Sequence, residues 1–81
     1  MASTCIAIDA FFNNQQVYLE VTRAFSDTYQ VWINKHYEGV IMKTGDGWAV
    51  RFHRNTILQG DDVRVIIDLI EERIKSITVI L

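Results

Sequence analysis

The sequence predicts an α+β domain, in which an antiparallel meander of five to six strands carries one C-terminal amphipathic α-helix packed on one face. Three observations lead there. From residue 4 to residue 53 the apolar residues alternate largely with period two. Clusters of turn-forming residues interrupt that alternation at short intervals. From residue 61 onward the apolar spacing changes to threes and fours, the mark of one helical face.

The first strand is expected over residues 4–12, "TCIAIDAFF", rich in β-branched and aromatic side chains and too short for an amphipathic helix. "NNQQ" breaks it, and "VYLEVTRAF" follows, with Val17, Leu19 and Val21 on one face and Tyr18, Glu20 and Thr22 on the other. "SDT" is a polar turn leading into "YQVWIN", where Tyr29, Val31 and Ile33 oppose Gln30, Trp32 and Asn34. "YEGVIMK" and "WAVRFH" complete a three-stranded meander, the last with Trp48, Val50 and Phe52 inward and Ala49, Arg51 and His53 outward.

The first hairpin of that meander admits two registers. A three-residue loop at 34–36 puts Tyr37, Gly39 and Ile41 on the face of Val31 and Ile33, and is the preferred reading; a four-residue loop substitutes Val40 and Met42. In the second turn, Gly45-Asp46-Gly47 supplies glycine where positive φ is required.

Val63, Ile66, Ile67, Ile70, Ile74 and Ile77 form the helix stripe, with Arg64, Asp68, Glu71, Glu72 and Lys75 opposite. Asp61 reads as its N-cap and Asp62 complements the dipole, while Arg73 and Lys75 favour the far end. Arg64 with Asp68, and Glu71 with Lys75, are spaced for i,i+4 contacts on a solvated face. "SITVIL", uncharged and β-branched, reads as a sixth strand pairing with its own sheet or a neighbour's.

Eighty-one residues make one domain, and 49 % apolar with 22 % charged residues is an ordinary globular balance. A core this small supplies only ~3–5 kcal/mol of net stability, so the chain gains from oligomerising. The single cysteine, Cys5, excludes a disulfide framework within the chain and suits a reducing, cytoplasmic setting, where it serves as a small hydrophobe. The start "MASTCIAIDAFF" lacks a basic leader, and no apolar run is long enough to span a membrane. A formal net charge of −2 with eight scattered basic residues disfavours nucleic acid as a partner.

Catalytic signals are weak. His36 and His53 lie seventeen residues apart, and pairing them with Asp46 or Glu38 does not give the short fixed spacings of a zinc site. No nucleophile elbow occurs, and the serines at 3, 26 and 76 sit in turns or near the termini. The carboxylates from Asp61 to Glu72 lie at a helix start or on its wet face, not in an apolar cleft. "TGDG" precedes a strand rather than a helix, and the acids of "GDD" would repel a phosphate.

What remains is a sheet face. Trp32 alternates out of phase with the apolar residues of its strand and should stand opposite the helix with Arg51 and His53, joined by Tyr18 and with Glu38 nearby. The expected function is a non-catalytic protein–protein interaction module of inhibitor or adaptor type, homodimeric, needing no cofactor or metal. The alternative is a module that holds single-stranded nucleic acid or a small aromatic ligand on the same face.

Overall fold

The computed structural model describes residues 3–25 and 27–79, and the side chains of 4–25 and 27–74. Expectations for Ser26, for Ile80 and Leu81, and for the side chains of Lys75 and Ile77 lie outside the described residues. Five antiparallel strands form one sheet in sequential order: β1 (Ser3–Phe12), β2 (Gln15–Phe25), β3 (Thr28–Ile33), β4 (His36–Lys43) and β5 (Trp48–Phe52). A single helix, α1 (Gly60–Val79), packs against it.

Local backbone chemistry explains the hairpins. Asn13 and Asn14 have φ of 53° and 60°, and Asn34 and Lys35 have φ of 51° and 71°. Two consecutive positive φ values make the two-residue turn whose twist matches that of the flanking strands, and asparagine tolerates it best after glycine. Phe12 therefore faces Gln15 and Ile33 faces His36 across the two turns. Positive φ is absent at Gly45 and Gly47; that turn closes instead through Thr44, whose N–H donates to the Gly47 carbonyl (2.8 Å) and whose Oγ1 accepts from the Gly47 N–H (3.1 Å).

The β3–β4 register combines the readings left open by the sequence. The two-residue loop sets Tyr37 opposite Trp32, not on the face of Val31. A bulge at Glu38 then shifts the ladder by one, so that Gly39 faces Val31 and Ile41 faces Tyr29. Gly39 has φ of 152°, and a β-carbon there would collide with the Arg51 carbonyl oxygen and the Phe52 ring. Only glycine lets the Phe52 side chain lie across the strand at that point.

One face of the sheet meets the helix. Leu19, Val21, Val31 and Ile41 from the sheet, and Ile66 and Ile70 from α1, are fully buried, with Tyr29, Ile33 and Leu58 around them. Removing such side chains from water contributes ~1.5–3 kcal/mol apiece. Val50 departs from its expected inward role: its register places it on the helix side, opposite Ile41, yet it is 43 % exposed because α1 does not reach over it.

The helix ends also differ from expectation. Gln59, not Asp61, is the N-cap: its carbonyl accepts from the Val63 N–H (2.9 Å), and its N–H donates to Asp62 Oδ2 (3.0 Å), a carboxylate reaching back over the first turn. At the other end residues 76–79 are helical rather than a sixth strand. Extending an existing helix adds a hydrogen bond per residue without a new nucleus, and no glycine or proline follows Gly60 to stop it. The described part of that helix makes no Arg64–Asp68 ion pair.

Candidate interaction surface

Residues directly opposite in an antiparallel ladder share a face. The registers therefore put Tyr18, Glu20, Thr22, Gln30, Trp32, Tyr37, Val40 and Arg51 together on the side without the helix. The helix-free face also holds Phe11, opposite Gln16, and Phe25, opposite Thr28, which are 69 % and 74 % exposed.

Trp32 stands near the middle of this face, half-buried, between Glu20 on β2 and Tyr37 on β4. The Tyr37 ring meets it edge-on, with centroids 5.2 Å apart at 66°. Such pairs contribute ~0.5–1.5 kcal/mol beyond burial and hold the indole in one orientation. Its Nε1–H donates to Thr22 Oγ1 (3.3 Å), and that hydroxyl donates onward to Gln30 Oε1 (3.2 Å). The polar edge of the ring is thus engaged within the sheet, leaving the apolar part of the ring to the surface.

Tyr18 lies one strand away and is covered from the turn. Lys35 Nζ sits 5.2 Å from the Tyr18 ring centroid and 3.2 Å from Glu20 Oε1, so one ammonium bridges an aromatic face and a carboxylate. Asn34 clamps the same strand: its Oδ1 accepts from the Tyr18 N–H (2.8 Å), and its own N–H donates to the Tyr18 carbonyl (2.9 Å). Arg51, on β5, faces Val40 on β4 and lies two strand spacings from β3, or about 10 Å across the sheet.

His53 and Glu38 belong to a different cluster. Glu38, in the β4 bulge, is buried, and its Oε1 accepts the Thr56 hydroxyl. His53 Nε2 lies 3.7 Å from the same oxygen, while its Nδ1 accepts the Asn55 N–H (3.1 Å), which assigns the ring proton of the neutral imidazole to Nε2. Thr56 Oγ1 also accepts the Leu58 N–H (3.2 Å). A buried carboxylate with these donors ties the link between β5 and α1 to β4, so Glu38 does not join the exposed patch. Thr56 gives its proton directly to the carboxylate and not to the imidazole.

Among the described residues no three His, Cys, Asp or Glu side chains come together in a group able to hold a metal ion. Among the described residues no helix is long and apolar enough to cross a membrane. The residues missed by sequence reasoning are Tyr37, Lys35, Phe11 and Phe25. A signal for the first existed: reading Asn34-Lys35 as a two-residue turn puts Tyr37 beside Trp32 at once. No protein-family model matches the chain, and no curated protein or solved structure is similar enough to match it.

Proposed function

We propose that this protein is a non-catalytic interaction module, homodimeric and cytoplasmic, that docks a protein partner on the helix-free face of its sheet. The observation that carries the reading is Trp32: an indole held in place by Tyr37 and Thr22, on a face with no helix over it, among exposed aromatic groups. Preorganised aromatic side chains with an arginine at the margin are the residue types that dominate protein–protein contacts. Their rigidity lowers the entropy lost on binding.

The test compares three proteins as bait: the wild type, Trp32→Ala, and Val65→Lys, a control at an exposed helix position. A partner that binds the wild type and the control directly in calorimetry, and is lost with Trp32→Ala, supports the reading. Binding indifferent to Trp32→Ala overturns it. The same face has the stacking groups for single-stranded nucleic acid or a small aromatic ligand, the second reading. Quenching of tryptophan fluorescence by a single-stranded oligonucleotide, reversed steeply by salt, would replace the protein partner with a nucleic acid.

A further inference from the structure

On the helix side of the sheet, the corner between β1 and α1 gathers two arginines around a buried phenol. Arg23 lies opposite Ser3 on β1 and Tyr29 on β3, so it shares the inward face of β2 with Leu19 and Val21. The β1 ladder shifts between Thr4 and Ile6, which sets Cys5 in a bulge next to them. From α1, Arg73 follows the buried Ile70 by three residues and comes to the same corner. A cavity of about 30 Å³ is lined by Cys5, Arg23, Tyr29, Ile70, Arg73 and Ile74. It has room for about one oxygen of water size.

The chemistry of that lining suits a negatively charged oxygen. Neither Arg23 nor Arg73 makes an ion pair among the described residues. Asp27, near enough to Tyr29 to raise its pKa, and Glu72, beside Arg73 in the chain, both leave the guanidiniums unpaired. Two cations that line one cavity repel each other, and an anion between them accepts from both. Tyr29 is 2 % exposed, and none of the hydrogen bonds among the described residues uses its hydroxyl. No fully enclosed polar atom of a described side chain lacks a partner, so that hydroxyl opens into the cavity its residue lines. Burial makes the phenol hold its proton, which leaves it a donor. The Arg23 Cζ lies 5.9 Å from the centroid of the same ring.

The neighbouring space sets the rest of the ligand. Arg73 also lines a cavity of about 190 Å³ with Ile6, Ile8, Leu69 and Glu72. Its three aliphatic side chains suit a hydrocarbon, and Ile8 is among the large apolar groups left exposed. Glu72 repels an anionic head from that end and directs it to the two arginines. We propose that this corner binds an unbranched aliphatic monocarboxylate of medium chain length, with its carboxylate on Arg23, Arg73 and the Tyr29 hydroxyl and its chain along Ile6, Ile8 and Leu69. An inorganic anion satisfies the arginines but leaves the isoleucines wet. The site lies on the opposite side of the sheet from Trp32 and is independent of the docking surface there.

Isothermal titration of the whole chain with sodium octanoate is the experiment, with two-dimensional NMR to locate the ligand. Octanoate is expected to bind one to one and to shift the resonances of Cys5, Arg23, Tyr29 and Arg73. Propionate should bind at least about tenfold more weakly, for want of buried methylenes. Octanol, which lacks the charge, should lose at least about tenfold as well. Arg23→Gln and Arg73→Gln, at exposed positions, should each weaken octanoate about tenfold, whereas Arg64→Gln, on the same helix but outside both cavities, should leave it unchanged. Tyr29→Phe, which keeps the buried ring, should weaken it a few-fold. Trp32→Ala should bind octanoate as the wild type does. A wild type that takes up no octanoate at millimolar concentration overturns the proposal. So does octanol, propionate or inorganic phosphate binding as tightly as octanoate, or an equal loss in Arg64→Gln.

Discussion

The two faces of the sheet are made of the same five strands but behave as different materials. On the helix side, Leu19, Val31 and Ile41 have no contact with water, and each loss of volume there leaves a cavity. On the other side, Trp32, Tyr37 and Thr22 are held by one edge-on ring pair and a short run of hydrogen bonds, with solvent beside them. The difference is that the first face has a helix to meet and the second does not. The helix side is itself unequal: Leu19, Val31 and Ile41 in the inner strands are covered, while Ile8 on β1 and Val50 on β5, the two edge strands, stay exposed.

Substitutions graded across these regions break or sharpen the contrast. Leu19→Ala, in the most enclosed place, should cost about 3–5 kcal/mol in chemical denaturation and threaten folding altogether. Gly39→Ala should cost about 2 kcal/mol, since its methyl group must displace Phe52 or the β5 backbone; a neutral result would mean the bulge is pliable. Trp32→Ala should cost only about 1 kcal/mol, mostly the lost Tyr37 contact, while removing partner binding. A loss as large as that at Leu19 would move the indole into the core and sink the docking surface. Val50→Ala should change monomer stability by less than about 0.5 kcal/mol, despite its side chain lying on the core side.

The last contrast appears only in alkali. Burial raises the Tyr29 phenol above its ordinary pKa, opposed by nearby Arg23 and reinforced by Cys5 and Asp27. The folded chain then holds that proton more tightly than the unfolded one. This contribution is complete below about pH 10 and is lost as pH rises through the folded-state pKa. Tyr29→Phe should flatten that part of the alkaline stability profile; an unchanged profile would show that the phenol is already solvated.

Much of this was legible in the residues. The alternation in β2 and β3 identified the inward set Val17, Leu19, Val21, Tyr29, Val31 and Ile33, and the three-and-four spacing identified α1 with Ile66 and Ile70 at its buried centre. Trp32, Tyr18 and Arg51 share the face that their phase implies. Other features were hidden for physical reasons. Glu38 reads as one more polar strand residue, and only a bulge, which depends on the neighbouring strand, buries it with Thr56 and His53. Residues 76–79 have strand-like side chains, but the preceding helix outweighs a propensity worth tenths of a kcal/mol. The inward phase of Val50 was readable and its exposure was not, because exposure depends on how far a helix reaches.

The sequence by itself determined the elements, their order, and which residues of each strand point the same way. Those properties follow from local sterics and from the periods of strand and helix, which act within a few residues. The tertiary structure alone decided where α1 lies across the sheet and which carboxylate is buried. These depend on contacts between residues far apart in the chain, and a one-dimensional pattern contains no distances between them.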